Sequence, residues 1–403
     1  MTKIRVLEAN VSGNKHSMFN ASFLKMLSIL RLRGELIFYS EKAHQECVQN
    51  FLREDVDNKI DDITFLTINI VDRGRFYLPI KFLFEIYNVS RFLFKFRKED
   101  YLLILTSISQ APNFFIKLIK IFFPKTKMLF VIHGELEFLK KHDEQPVMLK
   151  IWGWFLKYSF KIKTDSNTFY LVLGDVIKTN MRKYDIIDLR KVLSIDHPCL
   201  YNGHQKLLNN DSLLKIGAIG VASEQKKSQY IFDIGDKIIA KDKQDIQIEI
   251  IGKILPNLYK YLRSGVIYSK ENVMLDQKSF DEKISSLDFS LFFYDNTYYE
   301  LCASGAFFDA LNHEIPMLGL KNDFFEYYFE KYGPMGYLFD DVEDLIDFLI
   351  NYNKSDDDKY NSFVKNIRFA KEKLAINNLA VDFQKILIEN RLLSSNKISN
   401  ILQ

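Results

Sequence analysis

The feature that most constrains this chain is an alternation. Short apolar runs recur along it, each separated from the next by a stretch long enough for a helix. In the first half the runs are residues 3–9 (KIRVLEA), 35–40 (ELIFYS), 63–70 (ITFLTINI), 102–105 (LLIL), 128–132 (MLFVI) and 169–173 (FYLVL). Most are apolar nearly throughout rather than at every second position. Such a strand is buried on both faces, the condition of a parallel sheet covered by helices on each side. Helices are expected at 21–32, after the polar loop 10–20, and at 175–182. Pro, Gly and Asn interrupt the pattern at 196–212, which reads as a linker. The pattern then restarts, with strands at 215–220, 246–251, 273–275, 289–294 and 315–320. Helices accompany them at 229–240, 280–287, 305–311, 342–352 and over most of 356–392. The fold class is α/β, with two Rossmann-like, doubly wound parallel-sheet domains in tandem. A length of 403 residues suits two domains. Their expected bounds are 1–200 and 201–380, with 381–403 a C-terminal helix or tail crossing back to the first domain.

Composition narrows the class further. An apolar fraction of 47% and a charged fraction of 27% exclude disorder and coiled coil as overall descriptions. Cys47, Cys199 and Cys302 form no CxxC pair, so neither a disulfide framework nor a structural zinc cluster is expected. No run of 18 uncharged apolar residues is present and the first residues lack a signal-peptide core, so a cytoplasmic protein is expected. The net charge of +3 is unevenly spread, with +9 over residues 1–200 and −6 over 201–403. Residues 113–123 (NFFIKLIKIFF) and 148–163 (MLKIWGWFLKYSFKIK) mix bulky apolar residues with lysine and contain no acid. Each reads either as a basic aromatic helix in the headgroup layer of an anionic membrane or as a helix packed on a sheet with lysine stems reaching water.

Open parallel sheets bind ligands beyond the carboxyl ends of their strands, where the strand order reverses. Two such sheets joined by a hinge would frame a crevice suited to a two-substrate reaction that excludes water. The most informative segment is 298–320, YYELCASGAFFDALNHEIPMLGL. A polar loop leads into Ser304 and Gly305, which open a helix. Unpaired N–H groups and the dipole of a helix start favour a phosphate, and Gly305 permits close backbone approach. Asp309 lies about one turn further on the same face, where a carboxylate can accept both hydroxyls of a ribose. Glu300 precedes the helix, in position to meet a sugar. The plain structural alternative is that Ser304 is an N-cap and Asp309 an ordinary early-turn acid.

On these residues the chain resembles a known group. Asp309-Ala310-Leu311 followed by Glu314-Ile315-Pro316 looks like the E-A-M-x-x-G-x-P-V signature of GT-B nucleotide-sugar glycosyltransferases, most of all the retaining family-four type of bacterial surface polysaccharide synthesis. Asp309 takes the position of the second family acid, which holds the nucleotide ribose. The first family acid, which faces the donor sugar, would fall on Leu301, one residue after Glu300. The family glycine is Glu314 here. A second match is 219–232 (IGVASEQKKSQYIF), which looks like the family's G-R-L-x-x-x-K-G loop. Lys226, with Lys227 beside it, stands where the family lysine binds the diphosphate, and Val221 replaces the arginine. An ammonium there would stabilise the charge of a departing nucleoside diphosphate. A third match, 131–138 (VIHGELEF), ends a strand of the first half with His133-Gly134. The resemblance implies that a residue at this place meets the donor sugar or the acceptor; His133 can donate to a sugar hydroxyl or to the leaving oxygen, Glu135 and Glu137 can orient an acceptor, and the plain alternative is a strand-end histidine bonded to backbone.

The resemblance therefore implies a GT-B fold and transfer of a sugar from a nucleotide-diphosphate donor, of UDP or GDP type, to a saccharide or lipid-linked acceptor hydroxyl with retention. His133 and Glu300 are the catalytic candidates. Gly220, Lys226, Lys227, Gly252, Ser304, Gly305 and Asp309 form the nucleotide-sugar-binding set. No cofactor and no metal are expected, because no DxD pair occurs in the motif loops of the second half. Expected partners are the donor, the acceptor and peripheral contact with an anionic membrane at the inner face. The rivals are a GT-B-type sugar-nucleotide epimerase and a degenerate partner that only binds nucleotide. A dinucleotide dehydrogenase is disfavoured because no GxGxxG follows a strand, and nucleic acid because acids intersperse the basic residues.

Overall fold

The computed structural model describes residues 3–30, 35–54, 62–71, 78–140, 147–163, 165–201, 213–269, 271–273, 275–354 and 359–393. The chain divides into two compact units: Met1–Leu200 with Leu301–Ala303 and Leu374–Gln403, and Tyr201–Glu300 with Ser304–Lys373.

The first unit runs β1 (Lys3–Glu8), α1 (Ser17–Ile29), β2 (Leu36–Ser40), α2 (Lys42–Glu54), β3 (Ile63–Thr67), α3 (Leu78–Lys95), β4 (Tyr101–Ser107), α4 (Gln110–Lys120), β5 (Lys127–Ile132), α5 (Val147–Lys161), β6 (Thr168–Val172), α6 (Asp175–Met181) and β7 (Val192–Ser194). Its seven strands form one parallel sheet ordered β3-β2-β1-β4-β5-β6-β7. Every residue of β4 is buried, as a run without alternation requires. Six of the strands coincide with apolar runs read from the sequence. The three-residue β7 pairs with β6 through Tyr170–Val192 and Leu171–Leu193 and is too short to leave a pattern.

The second unit runs β8 (Leu214–Ile219), α7 (Tyr230–Ala240), β9 (Ile246–Ile251), β10 (Ile267–Tyr268), α8 (Gln277–Ser285), β11 (Phe289–Phe292), α9 (Asn296–Tyr299), α10 (Gly305–Asn312), β12 (Met317–Leu320), α11 (Asp323–Tyr332), β13 (Gly336–Phe339), α12 (Val342–Asn351) and α13 (Tyr360–Lys373). Six parallel strands are ordered β10-β9-β8-β11-β12-β13. Side-chain caps start many of the helices: Asp276, Ser304, Asn322 and Asp341 each accept a backbone N–H of the first turn, a contact worth about 1 kcal/mol apiece.

One expected strand moves. The edge strand is Ile267–Tyr268, paired with Glu249 and Ile250, and Val273 lies outside it; residue 274 of the expected 273–275 strand is outside the described residues. The cause is Asn272, whose side chain accepts from Ile254 N at 2.7 Å and donates to Ile254 O at 2.8 Å. That amide takes the two backbone bonds a neighbouring strand would have made. Most of the expected linker, residues 202–212, also lies outside the described residues.

The last helix, α14 (Ile376–Glu389), buries Leu379, Phe383 and Leu387 at four-residue spacing, one face of a helix. These residues join the core of the first unit, where Phe383 meets Phe23 of α1 at 5.9 Å between ring centroids. The first unit's core therefore reclaims the chain from Leu374 onward, earlier than the 380 expected from sequence.

Helix α4 is built inside out. Lys117 and Lys120 are each 1% exposed, while Phe115, Leu118, Ile121 and Phe122 at and beyond its end face outward. Lys120 reaches Asp165 at 2.5 Å. Lys117 donates to Ser159 O and lies 5.1 Å from the Tyr170 ring centroid. Burial pushes the Lys117 ammonium down to about 7. The unfolded chain thus holds this proton more tightly than the fold does, so stability rises with pH between about 7 and about 10.5. Lys117→Met should raise the melting temperature by several degrees near neutral pH, with the gain shrinking as pH approaches 10, in melts followed by circular dichroism across that range.

Candidate functional site

The order of the second sheet reverses between β8 and β11: β9 and β10 lie on one side of β8, β12 and β13 beyond β11. Loops leaving the carboxyl ends of two such strands diverge and open a recess. Ile219, Gly220, Val221, Lys226, Phe293 and Tyr294 line it.

Gly220 ends β8 with φ 84°, a conformation that favours glycine. Gly252, after β9, packs directly on it: a Cβ at Gly252 would lie 2.2 Å from Gly220 O. The requirement for Gly252 is thus the fit of two neighbouring turns. A Cβ at Gly220 would have Lys226 Nζ as its near neighbour, at 3.9 Å. Lys226 ends a single 3-10 turn, Glu224–Lys226, capped by Ser223. Its ammonium stands over this turn and 5.7 Å from the Tyr294 ring centroid. The adjacent Lys227 takes φ 52° and aims elsewhere, forming an ion pair with Asp295.

Tyr294 connects the recess to α10. Its hydroxyl lies 3.0 Å from Ser304 Oγ, which in turn accepts Phe307 N at 3.2 Å. Ser304 is therefore the N-cap, as its residue type allows, and its hydroxyl is occupied by the fold. Gly305 is exposed, and a Cβ there would meet nothing within 4 Å; the rest of the first turn, Ala306, Phe307 and Phe308, is buried. Asp309 follows one turn later. Burial pushes its carboxyl up to about 7, Asp281 adds repulsion, and Lys226 opposes both by attraction. Lys226 is thus within electrostatic reach of Asp309. Asp281 is held by His313 Nε2 at 3.1 Å and Gln277 Nε2 at 2.9 Å. Glu300 follows α9 and is 9% exposed.

Glu314, where the resemblance would put a glycine, takes φ 58°, a conformation that favours glycine. Here Arg368 Nε at 2.8 Å and Lys371 Nζ at 3.2 Å bind its carboxylate, offsetting the cost of a left-handed non-glycine residue.

The first unit carries its own constellation. Its sheet reverses between β1 and β4, and the loop after β1 is hung on buried acids. Glu8, fully buried, accepts Asn10 N, Val11 N, Asn20 Nδ2, Thr106 Oγ1 and Ser107 Oγ. Asn20 meets His44 Nε2 at 2.8 Å, and His44 Nδ1 meets Gly13 O at 2.7 Å. His133 follows β5, its Nε2 2.9 Å from Thr106 O and its ring 4.8 Å from His16. A carbonyl only accepts, so Nε2 carries the proton, and burial lowers the pKa of the ring. The Nε2 proton expected to go to a sugar hydroxyl or the leaving oxygen is thus taken by backbone, and the neutral ring offers Nδ1 as an acceptor. Glu8, His44 and Tyr294 were not singled out from sequence; no motif marks them, and only the fold brings them into place. Among the described residues no group of three or more His, Cys, Asp or Glu side chains is arranged to hold a metal ion.

No protein-family model matches the chain, and no curated protein matches it. Solved structures do match in fold. The lipopolysaccharide outer core galactosyltransferase WaaB aligns with 96% of this chain and 99% of its own at a TM-score of 0.58 and 12% identity. A glycosyltransferase from Rickettsia africae aligns with 98% and 99% at 0.57 and 11% identity. A putative UDP-N-acetylglucosamine 2-epimerase from Listeria monocytogenes aligns with 97% and 96% at 0.55 and 11% identity. The fold, two Rossmann-like parallel-sheet units in tandem, is the GT-B fold.

The electrostatics of Asp309 are testable without a ligand. Its native pKa lies above the unfolded value, so the fold holds that proton more tightly and stability falls as pH rises from about 4 to about 7. Asp309→Asn should therefore gain on the parent over that window and keep a constant advantage above it, as read from thermal melts between pH 5 and pH 8.

Proposed function

We propose that the chain is a glycosyltransferase that moves a sugar from a nucleotide-diphosphate donor to a saccharide or lipid-linked hydroxyl. What supports this reading is Lys226 over the turn at the reversal point of the second sheet, Tyr294 of the same recess bonded to Ser304 at the start of α10, and Asp309 within electrostatic reach of Lys226. An ammonium and a helix start together suit a diphosphate, and a carboxylate one turn along suits a ribose diol. GT-B folds among glycosyltransferases give the reading its context.

In this mechanism the C1–O bond to the diphosphate breaks and a C1–O bond to the acceptor forms on the same face. The acceptor proton passes to the departing phosphate oxygen. Lys226 and the α10 dipole stabilise the leaving charge in place of a metal, and Glu300 faces the cationic sugar. His133, with Nδ1 as acceptor, orients a hydroxyl. Lys227 supports the loop through Asp295 rather than gripping phosphate itself. The donor is of UDP or GDP type, no separate cofactor takes part, and the role is in bacterial surface polysaccharide synthesis of the family-four kind. The second reading, a sugar-nucleotide epimerase, is favoured by the likeness to the Listeria protein; it releases free sugar or an epimerised nucleotide sugar, where a transferase yields a glycoside.

A thermal-shift panel of UDP-, GDP- and CMP-sugars should show a shift with one UDP or GDP sugar. Asp309→Ala should weaken that binding by about 1–3 kcal/mol, the scale of a charged hydrogen bond lost. Lys226→Ala should cost turnover far more than melting temperature. A parent chain that no nucleotide sugar stabilises would contradict the reading.

A further inference from the structure

Three neighbouring helices of the first unit, α3, α4 and α5, each carry an apolar stripe on the side away from the core. On α3 it is Leu83, Phe84 and Tyr87, with Leu83 65% exposed. On α4 it is Leu118 and, just past the helix end, Phe122, which is 81% exposed. On α5 it is Ile151, Trp154 and Tyr158, with Trp154 47% exposed. The spacings of three and four are those of a helix face, so these are ordered second faces rather than scattered surface residues. Ring contacts knit the helices into one layer: Phe82 with Trp152 at 5.3 Å, Phe94 with Phe123 at 4.8 Å, and Phe114 with Trp154 at 6.2 Å. A contiguous apolar surface of this kind marks an interaction site.

The charge around it selects the occupant. The three helices contain a single acid, Glu85, and it is fully buried against Ser109. Exposed cations flank the stripes instead: Arg91 and Lys95 on α3, Lys157 and Lys161 on α5. The lysines of α4 contribute nothing outside, since both point inward, contrary to the headgroup role open to them from sequence alone. An apolar, aromatic surface fringed by cations, on three helices that expose no acid, complements an anionic bilayer, with the rings at headgroup depth and the lysines on lipid phosphates.

We propose that the outer face of α3, α4 and α5 docks the protein on an anionic lipid surface, with Phe122 and Trp154 entering the headgroup layer. Among the described residues no helix is long and apolar enough to cross a membrane, so the contact is peripheral. The inference is independent of the nucleotide-sugar reading.

The test is co-sedimentation of the full chain with phosphatidylglycerol vesicles and, in parallel, with phosphatidylcholine vesicles, at low and high salt. The parent should favour phosphatidylglycerol by at least about tenfold and lose most of that preference in high salt. In a Trp152→Phe background, Trp154 emission should shift to the blue on vesicle addition. Phe122→Glu with Trp154→Glu should reduce binding about tenfold or more, in a variant shown to be folded by a cooperative melt followed by circular dichroism. Lys157→Glu with Lys161→Glu should abolish the lipid preference. Absence of parent binding to phosphatidylglycerol, or equal binding by the Phe122→Glu, Trp154→Glu variant, overturns the proposal. A dimer in light scattering that the same variant dissolves, without vesicle binding, overturns it in favour of a second copy of the chain.

Discussion

The reversal of strand order between β8 and β11 is the constraint on which the candidate site depends. Two adjacent parallel strands send their loops to opposite sides, so backbone amides and side chains surround a space that no connection fills. Everything polar in the recess is referred to that geometry. Gly220 turns the chain out of β8, and Gly252 lets the next turn close against it. The 3-10 turn after β8 then carries Lys226 back over the strand ends, and Tyr294 ties the end of β11 to the cap of α10.

The charges around the recess are not all offset. Lys227 pairs with Asp295 and Asp281 bonds His313 Nε2, yet Asp281 repels the Asp309 carboxylate while Lys226 attracts it. An aspartate raised to about 7 by burial and by Asp281 is costly to the fold, and the attraction of Lys226 relieves it only in part. Structural economy alone would place a neutral residue at 309. The first unit shows the contrasting case: Glu8 is fully buried but meets five donors, and the network has the character of a scaffold for the loop after β1.

The parallel sheets were legible because most of their strands are buried on both faces and so read as unbroken apolar runs; β4 and β5 are plain examples. The short pieces were not. β7 and β10 span three and two residues, and β10 shifted because an asparagine side chain replaced a strand's hydrogen bonds. β13 and α11 went unread: the four-residue strand and the aromatic-rich helix lack an aliphatic period. Within the site, Ser304, Gly305, Lys226 and Asp309 were visible because helix starts and cationic loops have residue signatures. Tyr294 was hidden because a tyrosine at the end of an apolar strand looks like core until its hydroxyl is seen against Ser304. Lys226 and Lys227 were both expected to bind the nucleotide sugar, with Lys226 at the place of the family lysine. Only the left-handed turn at Lys227 separates the one over Gly220 from the one paired with Asp295. The inward lysines of α4 were hidden for a related reason, since periodicity gives the two faces of a helix but not which one the sheet receives.

The central claim is that a diphosphate is held between the turn after β8 and the start of α10, with its ribose toward Asp309. Hydrogen–deuterium exchange with and without UDP or GDP tests it most directly. The account predicts slowed exchange confined to the amides of 220–227 and 304–309. Nucleotide binding that protects amides elsewhere in the second unit and leaves both of these segments unchanged would contradict it.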